Sequence, residues 1–224
     1  MLASTGDVQR RRIRVFAGHF GLAAGVKALD SGVFSDRHVE SQVKAATEAG
    51  APLWVLMLAT QLLDVIFVPL VALGIESFGG PTGYGEGTIH AYYTHSLVGA
   101  LIISLVAGTL AWRAWGQRNG LIIAGVVFSH WLLDLLVHRP DLPILPGNLG
   151  NMPLLGFGLW NLAVVSASLE LLLIVVGGGL YAVSALRRAR KTPQPKEARG
   201  RAVTSSVVLG VLLVLSLASS LVGI

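Results

Sequence analysis

Residues 51–74, APLWVLMLATQLLDVIFVPLVALG, form an apolar run long enough to cross a bilayer, with a carboxylate, Asp64, in its middle. A membrane-spanning helix needs about 20 mainly apolar residues, because the hydrocarbon layer is about 30 Å thick and a helix rises about 1.5 Å per residue. Four further apolar runs follow, at 95–115, 121–137, 160–184 and 204–224. The chain of 224 residues is 53% hydrophobic and only 13% charged, against about 25% charged for an ordinary soluble domain. This pattern predicts an all-α integral membrane bundle of about five transmembrane helices. A shorter, Gly-interrupted segment at 13–29 (IRVFAGHFGLAAGVKAL) is expected to be a re-entrant or interfacial helix. It has no convincing cleavage site and contains His19 and Lys27, so a signal peptide is not expected. Pro69 predicts a kink in the first span. No internal repeat of the transporter kind is visible.

The net charge of +5 would suggest a nucleic-acid partner if it were spread along the chain. Instead, nine of the seventeen Lys and Arg lie in two patches, Arg10, Arg11, Arg12 and Arg14, and Arg187, Arg188, Arg190, Lys191 and Lys196. Such patches read as cytoplasmic flanks facing lipid headgroups, and no nucleic-acid motif accompanies them. Six full spans would put the two patches on opposite sides, whereas five put both inside. Loops 75–94 and 138–159 then face out, and the turn at 113–118 faces in. The expected units are a basic cytoplasmic tail (1–12), a membrane-embedded domain (13–184), a basic linker (185–203) and a C-terminal transmembrane helix (204–224). Residues 30–50 are polar, with a surface helix expected around 39–49, and the Pro/Gly-rich 138–159 stretch predicts an ordered loop.

Several ionisable residues stand where lipid should be: Asp64 in the first span, His130 and Asp134 in the third, and Glu170 in the fourth. Each costs about 2.5–3.5 kcal/mol at mid-bilayer on insertion scales, so such residues face a partner or a polar cavity. Four in one small chain predict a shared polar centre. In "SHWLLDLLVHRPD", His130, Asp134 and His138 recur every four residues and fall on one helix face, drifting about 40° per step. A second cluster, "HAYYTHS", carries His90 and His95 at a loop–helix junction. His19 lies among small residues that let another helix come close. His38 stands alone in a polar stretch and reads as solvated; Asp141 reads as a turn cap and Asn161 as a helix cap.

There are no cysteines, so thiolate metal sites and iron–sulfur clusters are excluded. A His/Asp/Glu donor set suits a divalent metal, zinc first, with manganese or iron also compatible. Such an ion would lower the pKa of a bound water and clamp phosphoryl oxygens, which is the physical case for hydrolysis. Asp64 or Glu170 would serve as base or additional ligand. Arg139, beside His138, would bind a phosphate or anchor a headgroup.

These same segments carry a resemblance. "FAGHFGLAAGVKA", "QLLD", "HAYYTHS", "SHWLLDLLVHRPDLP" and "GFGLWN" followed by Glu170 occur in the order seen in the bacterial LexA-binding, inner-membrane-associated hydrolase family, also called membrane-bound metal-dependent hydrolases. The resemblance covers about residues 15–184, and "SHWLLD" and "THS" are its specific parts. The family is itself distantly similar to the all-α zinc-dependent phospholipase C and single-strand nuclease group. The resemblance implies metal ligation by His19, Asp64, His95, His130, Asp134 and His138, with His90 and Glu170 as further candidates. It also implies the bacterial inner membrane as the location. The 30–50 segment is longer than the family pattern, and 204–224 lies beyond it.

Two other functions stay open on the residues alone. A polar centre shared by several helices also suits a metal-ion or proton-coupled transporter, and a closed metal site suits a structural membrane protein. Access separates them: an enzyme opens its site at one face, a transporter needs polar paths to both, and a structural site is closed. A lipid or phosphoester is the expected substrate, and the bilayer the expected partner.

Overall fold

The structure, a computed structural model, describes residues 17–31, 50–79 and 88–222. The basic tail 1–12, the surface helix expected at 39–49, and His38 lie outside the described residues. Seven α-helices and one short hairpin make up the described chain. Four helices are long and apolar enough to cross a membrane: α4 (Leu97–Trp115), α5 (Gln117–Val137), α6 (Ala163–Arg190) and α7 (Pro195–Val222). A fifth span is the bent pair α2 (Leu53–Thr60) and α3 (Leu62–Ala72). The chain is therefore an all-α helical membrane protein, as its apolar runs predict.

The bend of 49° in the first span falls at Gln61, not at the expected Pro69. Pro69 sits inside α3 and is tolerated there, near the end of a helix that stops at Ala72. At Gln61 the backbone leaves helical geometry (φ −109°, ψ 7°), so α2 ends with its last carbonyl, that of Thr60, turned toward other partners. The basic linker expected at 185–203 is also mostly helix. α6 runs through Arg190 and α7 begins at Pro195, so the break is only a few residues long. Pro195 opens α7 because a proline needs no helical N–H donor in the first turn.

Helices α4 and α5 form an antiparallel hairpin through Gly116, whose φ of +84° suits glycine. They pack closely at Gly108, where a Cβ would stand 2.7 Å from the Cβ of Ala124. Between the span-long helices lies α1 (Gly18–Asp30), too short at about 1.5 Å per residue to cross alone. It runs beside α6 with backbone almost on backbone. A Cβ on Gly21 would strike the Leu173 carbonyl, and one on Gly177 would strike the Gly21 carbonyl. Small residues permit this approach, as expected around His19. The two ends of the bundle differ. One gathers Arg113, Arg118, Arg187, Arg188, Arg190 and Lys191 and is called the basic end here. The other carries the hairpin β1 (Ser77–Gly79) with β2 (Thr88–His90) and the 138–159 loop, and is called the loop end.

The expectation of an ordered 138–159 loop holds. Leu142 and Leu155 pair as an isolated antiparallel bridge, and short 3-10 turns cover Pro146–Asn151 and Leu159–Asn161. The loop also caps helices. Pro143 and Ile144 carbonyls accept from Leu97 and Val98 at the start of α4. Phe157 and Gly158 amides donate to the Leu135 and His138 carbonyls at the end of α5. These contacts satisfy groups that a helix end otherwise leaves orphaned.

Candidate metal centre

Helix α5 carries the polar column, and it can do so because it is the central span. Half of its apolar window is buried, against about a fifth for the other long helices. His130 and Asp134, four residues apart, point the same way, between α1, the bent span and the start of α4. His95 arrives from the turn before α4, where Ser96 caps the helix by accepting from the Gly99 amide at 3.0 Å. Asp64 comes from the first turn of α3, just past the bend. His19 comes from the first turn of α1.

These side chains converge tightly. His95 Nε2 lies 3.4 Å from Asp64 Oδ1, 3.4 Å from Asp134 Oδ2 and 3.3 Å from His130 Nε2. His130 Nε2 lies 3.1 Å from Asp134 Oδ2 and 3.8 Å from Asp64 Oδ1. A tetrahedral ion with bonds of about 2.1 Å would hold its ligand atoms about 3.4 Å apart. His95 Nε2, His130 Nε2 and Asp134 Oδ2, mutually 3.1–3.4 Å apart, therefore have the separations of a ligand shell, and Asp64 Oδ1 stands 3.4 and 3.8 Å from the two ring nitrogens. His19 stands on the far side of Asp134, with Nε2 3.3 Å from Oδ1, and its ring stacks on His130 at 4.1 Å between centroids. Two overlapping donor groups result, His19–His130–Asp134 and Asp64–His95–His130.

In His95, His130 and His138 the other ring nitrogen is already committed. His130 Nδ1 is 2.7 Å from the Thr60 carbonyl oxygen, which can only accept, so Nδ1 carries the hydrogen. The carbonyl reached is the one that the bend at Gln61 turns toward other partners. His95 Nδ1 is 2.8 Å from Thr94 Oγ1, and that hydroxyl lies 3.0 and 3.1 Å from the two oxygens of Glu76. Because the hydroxyl donates to the carboxylate, Thr94 accepts from His95 Nδ1. His138 Nδ1 is 2.9 Å from Asp141 Oδ1. In their neutral forms, His95 and His130 thus aim bare Nε2 lone pairs at each other and at two carboxylates. Acceptors facing acceptors repel, and only a cation or extra protons at the centre relieve this. Among the described residues, the ion-pair partners of Asp64 and Asp134 are histidines, never lysine or arginine.

The other expected site residues divide. His138 ends α5, where Pro140 disfavours helix at the residue before it, and its ring stands 6.5 Å from His95 and 4.3 Å from Trp160. It borders the cluster without entering either donor group. Burial disfavours its charged form, but the bond to Asp141 and the charge of Asp134 outweigh this and raise its pKa above the ordinary histidine value. His90 does not join: it is exposed on β2 and pairs with the Tyr92 hydroxyl at 3.2 Å. Glu170 is fully buried, but its carboxylate accepts from the Ala17 amide at 2.9 Å, at the start of α1. There its negative charge favours the helix N-terminus and so fixes His19. Arg139 donates from Nε to Asn161 Oδ1 at 3.0 Å and lies outside the cluster. Two expected caps are otherwise employed: Asp141 holds His138, and Asn161 holds Arg139, while α6 starts without a side-chain cap.

Sequence reasoning missed Glu76, Thr94 and Thr60, which hold the ligand rings rather than supply ligands. A weak signal existed for Glu76, an acid in a Gly-rich loop without Lys or Arg, and for Thr94, beside His95 in "THS". The Thr60 carbonyl left none, since its role comes from backbone geometry. Trp131, whose Nε1 donates to the His95 carbonyl at 2.8 Å, reads in sequence simply as an apolar flank. No protein-family model, curated protein or solved structure matches this chain.

Proposed function

We propose that the chain is a membrane-embedded metal-dependent hydrolase acting on a phosphoester, carried by a lipid. One observation carries the metal part: His95 Nε2, His130 Nε2 and Asp134 Oδ2 stand 3.1–3.4 Å from one another, the separations of a ligand shell, with the opposite ring nitrogens already bonded to acceptors. His95, His130 and Asp134 would hold one divalent ion, zinc by the character of the donors, with Asp64 beside the open fourth position as base or additional ligand and His19 extending the donor set beyond Asp134. The ion would supply Lewis acidity toward an ester oxygen and a water.

The chain's own residues supply the rest. Asp64 has a side chain 22% exposed, whereas His19, His95, His130 and Asp134 are at most 5% exposed, so substrate and water meet the cluster at Asp64. Asp64 is the group suited to take a proton from an attacking water. His138, held by Asp141 and Trp160 beside His95, lines the same end and suits a role in binding the phosphoryl oxygens. Arg139 serves the headgroup further out. This reading agrees with the resemblance to the membrane-bound metal-dependent hydrolases and with a bacterial inner-membrane location.

Transport is the weaker reading because of what lies on the basic side of the cluster. Ala23, Val55, Leu56, Ala59, Ile123 and Val127 form one continuous buried apolar core there. That plug offers no polar path to the second face. The test is elemental analysis of detergent-purified protein, with turnover measured on a panel of phospholipids. We expect about one or more equivalents of divalent metal, lost in His130→Ala, and phosphoester cleavage abolished by chelator and restored by zinc or manganese. Less than a tenth of an equivalent of any metal after supplementation would remove the metal centre. A metal that stays bound while no phospholipid is cleaved would make it a structural site.

A further inference from the structure

Glu76 supplies no ligand to the metal centre and precedes the first strand of the hairpin. It is nevertheless almost fully buried (2% exposed), and it accepts three different donors. The Tyr93 and Thr94 amides donate to Oε1 at 2.8 and 2.9 Å, and the Thr94 hydroxyl reaches both oxygens. The hairpin explains how it gets there. Ser77 pairs with His90, so Glu76 stands at the base of the hairpin next to Ala91, directly under the turn leading to His95. That turn is itself fixed, since the His95 amide donates to the Ala91 carbonyl and Trp131 holds the His95 carbonyl.

From this arrangement we infer that Glu76 and Thr94 are positioning residues that set the tautomer of His95. The inference rests on the metal-centre reading above. The Thr94 hydroxyl donates to the carboxylate, which leaves Oγ1 only as an acceptor toward His95. Nδ1 must then carry the hydrogen, and Nε2, the atom facing His130, Asp64 and Asp134, keeps its lone pair. The same chain of bonds lends the imidazole electron density and stops its ring from flipping. Carboxylates that orient a metal-binding histidine in this way typically contribute 10–100-fold in metal affinity. His130 receives the equivalent orientation from a backbone carbonyl, which no side-chain substitution can remove. The centre is therefore adjustable at His95 and fixed at His130.

Thr94→Val keeps the side-chain shape and removes the hydroxyl; Thr94→Ser keeps the hydroxyl. Zinc(II), titrated into full-length protein against a competing chelator, should bind at least tenfold more weakly to Thr94→Val and within about threefold of wild type to Thr94→Ser. Glu76→Gln should weaken binding as well, because an amide can donate to Thr94 and reverse the hydroxyl. The discriminating readout is the nitrogen-15 shift of the His95 ring in metal-free protein at alkaline pH. It should report hydrogen on Nδ1 in wild type and a mixture of tautomers in Thr94→Val and Glu76→Gln. If Thr94→Val fails to fold, Glu76→Gln carries the same test. Wild-type zinc affinity in both variants, or an unchanged tautomer, would overturn the inference and leave the metal centre standing. Wild-type protein that binds no zinc would overturn the metal centre instead, and the ring shift would still decide the tautomer.

Discussion

Two buried aspartates mark the two ends of α1, and they are treated in opposite ways. At the basic end, the Asp30 side chain is 2% exposed and meets permanent cations: Arg118 at 2.7 Å and Lys27 at 3.7 Å. The surrounding groups complete the contact. Lys27 donates to the Ala51 carbonyl, the Ala51 amide donates to Asn119, and Asn119 donates to the Trp115 carbonyl. At the loop end, Asp134 is about as buried, yet its ion-pair partners are His19, His95 and His130. A carboxylate buried for architecture is matched with a charge that never leaves. One buried among imidazoles has its charge matched only when protons or a metal arrive. The first arrangement is complete as folded, and the second is complete only with a ligand.

The largest expected effect contrasts the two directly. Asp134→Asn should abolish the increase in thermal stability that zinc gives wild type, an increase of about 2.7 kcal/mol at a hundredfold excess over the dissociation constant. In metal-free protein the same substitution should also lower stability, because removing one member of a buried ion-paired cluster leaves the proton shared by the imidazoles poorly matched. Asp30→Asn should lower stability with or without metal, by about 1–3 kcal/mol. That is less than for a fully buried pair, since Arg118 is half exposed and can rehydrate. Thermal unfolding in detergent with zinc and with chelator reads all four cases. A zinc shift that survives in Asp134→Asn, or a neutral Asp30→Asn, would break the comparison.

A smaller effect should appear where the two ends are joined. Gly177 lies against Gly21 along the middle of α1, and a Cβ there would meet backbone, which cannot rotate away. Gly177→Ala should therefore displace α1 as a unit, weakening zinc binding several-fold and costing about 1–3 kcal/mol of stability. Gly179→Ala, with nothing within 4 Å, is the control and should change neither. If Gly177→Ala alters stability but not zinc affinity, His19 is not part of the donor set.

Much of this was legible in the sequence, and for a physical reason. Apolar length is a local property, so the spans could be read directly. The four-residue spacing of His130, Asp134 and His138 is likewise local, and it placed His130 and Asp134 on the inward face. What escaped depended on distant partners. The bend at Gln61 carries no proline or glycine of its own, whereas Pro69 offered an obvious but wrong location. His90 and His95 look alike in "HAYYTHS", and only the hairpin register decides that one is exposed and the other buried. Glu170 was recognised as out of place in lipid, but the partner it found, the amide of Ala17, is 153 residues away in the chain. Basic residues 187–191 signalled a linker by composition, yet α6 runs through Arg190, because charged side chains at a helix end can extend into the headgroup layer.

The smallest effect tests whether the two ends are independent. Asn119 sits in the first turn of α5, and its Oδ1 accepts the buried Ala51 amide at 3.0 Å. Asn119→Ala leaves that amide without this acceptor, at a cost of about 1–3 kcal/mol, toward the low end if water enters from the nearby surface. His130 lies eleven residues further along the same helix, which at about 1.5 Å per residue puts the two about 16 Å apart. The apolar plug formed by Leu56, Ala59, Ile123 and Val127 fills the space between them. Close-packed apolar side chains carry no charge from one end to the other, so zinc affinity should stay within about twofold of wild type, a difference of about 0.4 kcal/mol. A tenfold loss in Asn119→Ala would mean that the basic end sets the geometry of the centre through α2 and the Thr60 carbonyl. The bend at Gln61 would then be a mechanical link between the ends, and the two buried aspartates would belong to one coupled device.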